Sequence, residues 1–214
     1  MRALPLLLTA CSSVAKAPDA TTTPAPAAPS IFDRLHDTAG RVPGLDGYSL
    51  ARVPDATRCG GIAVTVVHAA NVRVAPADQP LAAFFDTPPI TGLDFGDAAK
   101  DQSRQRFDTW LADAGRRAEA ARAAYEGASS DATIVISAAR DAQVLRHFAS
   151  MLLRAEIPAD VRAGEHADDK IAAYCGALTN AATPLLAKAD EAVARCAEHV
   201  TRVGSGWWSS VCIR

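Results

Sequence analysis

The sequence predicts a mainly α-helical protein, made of helical hairpins behind an irregular N-terminal region with short strands. In the second half of the chain, apolar residues recur in steps of three and four, which places them on one face of a helix. Between residues 41 and 96, proline and glycine interrupt the chain repeatedly, so only short elements fit there. Of the 214 residues, 49% are hydrophobic, which is enough to build a core.

Residues 1–10 are predicted to be a lipoprotein signal peptide. The chain starts with a basic residue and a short apolar run, and Leu8-Thr9-Ala10-Cys11 matches the bacterial lipobox. Cleavage would fall before Cys11, and that cysteine would carry the lipid. An ordinary apolar N-terminus is the alternative, but it does not explain why a lone cysteine ends the run.

Three further parts follow the signal peptide. Residues 11–30 begin with the lipidated Cys11 and are rich in alanine, proline and threonine, which is typical of a flexible tether. Residues 31–96 form an irregular capping region, and residues 97–214 form the helical domain. No other segment approaches the roughly 18 apolar residues that a membrane span needs.

Export into an oxidising compartment would allow the remaining four cysteines to form disulfide bonds. Their number is even, which favours two disulfides. A four-cysteine zinc site is the rival, but no two of them are separated by the two to four residues that zinc sites use. The four predicted disulfide cysteines are Cys59, Cys175, Cys196 and Cys212.

The capping region is the hardest part of the chain to interpret. Ser30 is a candidate N-cap for a short helix over residues 31–38. The runs at residues 62–68 and 71–74 are rich in Val, Ile and Thr, which indicates strands or extended segments. A short buried helix is the alternative for residues 62–68, and periodicity does not separate the two over this length.

Two amphipathic helices open the helical domain. The first is predicted between Asp97 and Tyr125, and Gly127 follows as a natural stop. The second starts with Asp131 as its cap and runs to about Arg154.

The longest apolar stripe begins at Ile171 and ends near Cys212. Pro184 lies inside it, so it is either one kinked helix or a hairpin with Thr183 as the second cap. We favour one helix, because the stripe keeps its phase across the proline. The turn at residues 204–206 then ends it.

One helix would decide the disulfide pairing. At about 1.5 Å per residue, Cys175 and Cys196 would lie roughly 30 Å apart, too far to bond. A helix–turn–helix around Gly204 would bring Cys196 to Cys212. Cys175 would then bond Cys59 and attach the capping region to the helices.

The C-terminal third resembles a known family. Its helix-packing positions include Phe148-x-x-x-Leu152, Tyr174-Cys175-x-Ala-Leu178, Ala182-x-Pro184-Leu185 and Trp208-x-x-x-Cys212. In this order they resemble the last repeat of tetratricopeptide-like envelope lipoproteins of gliding and related proteobacteria. The resemblance covers residues 132–212 and implies a TPR-like helical array with a divergent N-terminal cap. It transfers no functional residue.

The sequence contains no recognisable catalytic or metal motif. Its five histidines are not in ligand spacings, so we expect no catalytic residue, no metal and no cofactor. The net charge of −2 argues against nucleic acid as a partner. Trp207 is the candidate partner-binding residue, because tryptophan is enriched at binding hot spots. Trp208 is expected to pack on the Cys196–Cys212 bridge.

We therefore expect a non-enzymatic periplasmic lipoprotein that acts as a helical scaffold or adaptor for other envelope proteins. Its lipid would be the only membrane contact, and Ser12 after Cys11 favours the outer membrane. One alternative is a protein that binds a small molecule or metal in a cleft between residues 41–96 and the helices. Another is a hydrolase with a site assembled from scattered residues such as His68 and His166.

Overall fold

The computed structural model describes residues 31–35, 40–127 and 129–212. The predicted signal peptide (1–10), the lipidation site Cys11 and the tether (11–30) lie outside the described residues. So does the second half of the short helix predicted over residues 31–38. Its first half is a 3-10 helix, Ile31–Arg34.

The capping region contains a three-stranded antiparallel sheet, with β1 at Gly40–Arg41, β2 at Tyr48–Pro54 and β3 at Ile62–His68. The prediction of a strand at residues 62–68 is therefore confirmed, and the alternative of a short buried helix is wrong. Strand β2 pairs with β3 along its whole length, from Tyr48 opposite His68 to Pro54 opposite Ile62.

Residues 71–74, predicted as a strand or an extended segment, are not part of the sheet: β3 ends at His68, and Asn71, with a positive φ of 61°, lies in the turn that follows. Helix α1, Gln79–Phe85, was not predicted. It begins with Pro80 in its first turn, where the missing N–H has no helical partner, and it buries Leu81 and Phe84 completely.

Helices α2 (Lys100–Ala123) and α3 (Asp131–Leu153) correspond to the two predicted amphipathic helices. The cap of α3 is Ser130 rather than Asp131. The Ser130 hydroxyl accepts a hydrogen bond from the Thr133 N–H, and Thr133 Oγ1 accepts one from the Ser130 N–H. Asp131 is free of that role because its carboxylate pairs with His199.

Helix α4 runs unbroken from Ala167 to Val203 and includes Pro184, so the hairpin alternative is wrong. Its side chains at Cys196 and Leu178 pack near the start and the end of α3, respectively, which makes the two helices antiparallel. Gly204, with φ of 85°, ends α4 in a conformation that favours glycine. The short helix α5, Ser209–Cys212, follows.

Both expected disulfides are present. Cys59 bonds Cys175, with their Cα atoms 5.6 Å apart, and ties the loop after β2 to helix α4. Cys196 bonds Cys212 at a Cα distance of 5.5 Å and folds α5 back on α4.

The core has three contiguous parts arranged along α3. Its middle holds α1 and the sheet through Phe84 and Tyr48, its C-terminal end meets α4 at Leu186, and its N-terminal end meets α5 at Val211. The protein is thus mainly helical, with one α3–α4 hairpin at its centre and a small sheet beside it. The tetratricopeptide-like array remains an expectation from the resemblance.

Candidate functional site

The sheet and helix α3 do not close completely against each other, and two adjoining clefts lie between them. The larger has a volume of about 540 Å³ and is named the tryptophan cleft after Trp207. Its walls come from the segment before β2, from α1, from α3 and from α5. The apolar part of its lining consists of Leu35, Val42, Pro43, Leu50, Phe85 and Val211.

Arg140 of α3 holds one wall of the tryptophan cleft in place. Its guanidinium is almost fully buried and donates to the backbone carbonyls of Pro43 (3.0 Å) and Gly44 (2.6 Å) and to Asp78 (3.1 Å). Burial lowers the pKa of Arg140, whereas the nearby Tyr125 and Asp78 favour its charged form. The loop at residues 43–44 is therefore attached to the helix by hydrogen bonds to a buried guanidinium.

Trp207 closes the same wall from the other side. The Arg140 guanidinium lies 4.1 Å from the centre of its ring, within cation–π range. The ring also lies against Gly44, where a Cβ atom would come within 2.5 Å of it. Trp207 is partly buried, and its observed contacts are internal. Its role as a partner-binding residue stays a prediction.

Trp208 packs on the cluster that contains Cys196 and Cys212, as the sequence suggested. Its indole N–H donates to the Gly204 carbonyl at 3.2 Å, across the turn between α4 and α5.

The smaller cleft, of about 330 Å³, is named the aspartate cleft after Asp86, which follows α1. The register of the sheet places Tyr48 opposite His68, and both side chains reach Asp86. The Tyr48 hydroxyl donates to Asp86 Oδ2 at 3.0 Å, and His68 Nε2 lies 2.8 Å from Oδ1. Burial, and then the bonded Asp86, raise the pKa of Tyr48 to about 12.

Thr87 and two arginines complete the polar part of the aspartate cleft. Thr87 is 6% exposed, and its hydroxyl has no hydrogen-bond partner among the residues that the structure describes. Arg58 bonds Asp55 through Nε and the Arg154 carbonyl through Nη1. The Arg154 guanidinium lies 5.4 Å from the ring centre of Phe32.

The two clefts share a wall made of Phe85 and His147. Their rings are stacked, with centroids 4.3 Å apart and planes 21° from parallel. The His147 ring also packs edge-on against Phe84, with ring centroids 5.4 Å apart.

The remaining histidines do not assemble a site with His68. His166 is 70% exposed at the start of α4, beside Glu165 and Asp169. His199 pairs with Asp131 at 2.6 Å, and His36 lies outside the described residues. Within residues 31–35, 40–127 and 129–212, no group of three or more His, Cys, Asp and Glu side chains is arranged to hold a metal ion.

Sequence reasoning singled out Trp207 and His68, which line the clefts, but it missed several other residues that shape them. The polar side chains of Asp86 and Thr87 directly follow the unpredicted helix α1, so nothing marked them out. Arg140 and Gln143 carried a weak signal, since they fall between apolar residues of a helix that is buried around much of its circumference.

None of the described helices is long and apolar enough to cross a membrane. Comparison with protein families, with curated proteins and with solved structures finds no match to this chain.

Proposed function

We propose that this protein is a non-catalytic envelope lipoprotein that binds a small molecule with an apolar part in the tryptophan cleft. The observation that carries the proposal is the cleft itself. Its volume of about 540 Å³ falls in the range of roughly 300–1,000 Å³ typical of small-molecule sites. About half of its lining residues are apolar, and Arg41, Gln143, Arg146, His147 and Ser210 supply polar groups. Small-molecule sites commonly combine apolar side chains with polar groups that orient the ligand.

The position of the cleft also supports this function. It lies between the capping region and the helices, where the disulfide from Cys59 to Cys175 and the Arg140 hydrogen bonds hold the two parts together. A cleft with fixed walls binds a ligand without first paying for the ordering of loops.

A cleft-filling variant tests the proposal. Leu50 of β2 lines the cleft, whereas its neighbour Ala51 points to the opposite face of the sheet. We expect one molecule of the apolar dye N-phenyl-1-naphthylamine to bind per chain, and Leu50→Trp to weaken its binding at least about tenfold by filling the space. Ala51→Trp is the matched control and should leave the affinity unchanged. Absence of dye binding to the wild-type protein, or equal effects of both variants, would refute the function.

The lipid anchor needs its own test. The lipobox and the two disulfides support a location in the cell envelope, on the periplasmic side and by default at the outer membrane. We expect cells fed an alkyne-tagged palmitate to label the wild-type protein, and Cys11→Ser to abolish the label. A Cys11→Ser protein that keeps the label would rule out lipidation at this residue.

The scaffold or adaptor role remains a second proposal, favoured by a groove along α2. The groove has a volume of about 550 Å³ and is open to solvent. Arginine and tryptophan, two residue types enriched at binding hot spots, contribute to its lining. Its lining includes Ile90, Gln105, Arg106, Trp110 and Arg116.

Site-specific crosslinking distinguishes this second role. A photo-crosslinking amino acid at Gln105 lies in the groove, whereas one at the exposed Asp108 of the same helix does not. In native cells we expect one discrete adduct from position 105, none from position 108, and loss of the adduct in Arg116→Glu. Identical patterns from both positions would remove the adaptor role.

A further inference from the structure

We propose that the free edge of strand β3 binds one extended segment of a partner protein as an added antiparallel strand. Apolar side chains at two alternating positions of that segment enter the aspartate cleft. This inference goes beyond the proposed function, because the surface is a sheet edge rather than the tryptophan cleft.

Among the described residues, β3 has a neighbouring strand on one side only, since β2 lies between β1 and β3. Two backbone hydrogen bonds at the ends of the β2–β3 hairpin show which of its residues bond across it. The Ala69 N–H donates to the Gly47 carbonyl at 2.8 Å. At the other end, the Asp55 N–H donates to the Gly61 carbonyl at 2.9 Å. Hydrogen-bonded pairs alternate along an antiparallel ladder, so the odd-numbered residues of β3 bond to β2.

The even-numbered residues of β3 turn their backbone groups towards the free edge. Those of Val64 and Val66, in the middle of the strand, have no hydrogen-bond partner within the described part of the chain. Natural edge strands are commonly blocked by a charged residue, a proline or a bulge. Strand β3 contains no proline, lysine, arginine, aspartate or glutamate, and its register with β2 is unbroken. The edge therefore lacks the features that prevent pairing with another strand.

The aspartate cleft adjoins this edge. Strand β3 lines it from Val64 to Val66, and Phe85, Met151 and the segment Thr87–Pro89 line it as well. Val66 faces the core, and Val64 shares its face of the strand. Residues directly opposite each other in an antiparallel pair project their side chains to the same face. Two side chains of an added strand, opposite Val64 and Val66, would therefore point into the cleft.

The edge and the cleft together indicate the chemistry of the partner. In strand addition, main-chain hydrogen bonds provide affinity, and pockets for alternate side chains provide specificity. The partner segment is therefore extended, free of proline where it pairs, and apolar at two positions separated by one residue. On the outer face of the sheet, a long side chain opposite Thr65 would reach Val67, which is 45% exposed.

A second copy of this chain fits the edge less well than a single extended segment. The segment Thr87–Pro89 lines the aspartate cleft together with β3, and each copy would bring its own such segment to the contact. A single extended chain meets this segment only once and adds no folded body beside it. We therefore assign the edge to a segment of another protein.

A synthetic peptide, acetyl-Lys-Thr-Val-Thr-Val-Thr-Lys-amide, tests the inference on the full chain with both disulfides formed. We expect isothermal titration calorimetry to show one peptide bound per chain, with its valines opposite Val64 and Val66. Methylation of both valine nitrogens removes two hydrogen bonds to β3 and should weaken binding at least about tenfold. Methylation of the first and last threonine nitrogens is the matched control. These N–H groups point away from β3, so the affinity should stay unchanged.

Amide hydrogen exchange locates the bound peptide. In the free protein, the N–H groups of Val64 and Val66 should exchange quickly, whereas the Thr65 N–H, which is bonded to β2, should exchange slowly. The peptide should slow exchange at Val64 and Val66 at least about tenfold and leave Thr65 unchanged.

A pair of charge variants adds a test on the protein side. Val64→Lys places a charge where the cleft meets the edge and should abolish peptide binding. Val53→Lys makes the same change at a 54% exposed position on the outer face of β2, and it should leave binding unchanged.

The inference is wrong if the peptide does not bind, if the two methylation patterns weaken binding equally, or if Val64→Lys keeps full affinity. It is also wrong if the peptide binds while Val64 and Val66 exchange as in the free protein. Protection of these amides that rises with protein concentration, without peptide, would assign the edge to a second copy instead. None of these measurements depends on dye binding in the tryptophan cleft, so failure of the proposed function and failure of this inference are distinguishable.

Discussion

Arg140 joins several separate parts of the molecule through contacts of its guanidinium. A charged group almost fully removed from water is stable only when it is paired and hydrogen-bonded. Arg140 meets this requirement by joining the loop at residues 43–44, the residue before α1 and the ring of Trp207. The capping region is thus held to the helices by one guanidinium as well as by a disulfide.

We expect Arg140→Met to destabilise the protein by about 3 kcal/mol, because the Gly44 carbonyl loses its donor and the Pro43 carbonyl and Asp78 each lose one of two donors. Arg116→Met is the control, since Arg116 pairs with Asp113 on the exposed surface, where an ion pair contributes less than about 1 kcal/mol. Urea unfolding measures both. Similar small losses would show that the buried network is not needed for stability.

The three tyrosines predict a pH dependence. Burial raises the pKa of Tyr48, Tyr125 and Tyr174 from 10.0 to about 12, with help from Asp86, Asp78 and Glu156, respectively. Because the unfolded chain releases these protons near pH 10, the stability they contribute is complete below pH 10. It is lost as pH rises towards 12.

Ultraviolet difference absorbance of tyrosinate checks this expectation. The native protein should show little tyrosinate at pH 10.5, whereas the same protein in concentrated urea should titrate near the ordinary value of about 10. A native tyrosine that ionises near pH 10 would contradict the burial described for it.

At the scale of elements, the start of α3 shows how a helix is positioned by a cap. Two reciprocal hydrogen bonds between Ser130 and Thr133 satisfy N–H groups that have no partner within the helix.

We expect Ser130→Ala to cost about 1 kcal/mol of stability through loss of the cap. Its neighbour provides the control, since Ser129→Ala makes the same chemical change at an exposed position outside the capping box. Thermal and urea unfolding should separate the two variants. Equal effects would mean that the cap contributes nothing beyond a surface serine.

The three long helices were predictable from the sequence because their signal is local. A period near 3.6 residues identified α2, α3 and α4, and the length of α4 alone excluded a bond between Cys175 and Cys196. Strand β2 and the clefts were not predictable in this way. Tyr48 lies beside His68 because of the register of two strands, and it reaches Asp86 because α1 places Asp86 there. Helix α1 was not predicted, because its segment is rich in proline. The burial of Arg140 likewise depends on residues nearly a hundred positions away.

At the scale of the whole molecule, the two disulfides differ in what they enclose. The bond from Cys59 to Cys175 spans 116 residues and encloses β3, α1, α2 and α3, whereas the bond from Cys196 to Cys212 spans 16 residues. Both restrict the unfolded chain, the longer loop more strongly.

Removing each bond should therefore have unequal effects. In the chain-entropy treatment, replacing Cys59 and Cys175 with alanine costs about 4.7 kcal/mol, and replacing Cys196 and Cys212 costs about 3 kcal/mol. Urea unfolding of the two double variants gives the comparison. A larger loss from the short loop would show that packing around the buried Cys196, rather than loop closure, dominates.

The connectivity of these bonds also has a consequence for biogenesis. Along the chain the four cysteines pair first with second and third with fourth. A polypeptide exported N-terminus first presents them in that order, so an oxidase that joins each free thiol to the next one to emerge produces the native bonds directly. Acylation of Cys11 would block the fifth thiol, which could otherwise form a non-native disulfide with one of the four. If the protein is exported as proposed, its maturation should therefore proceed in cells that lack a disulfide isomerase.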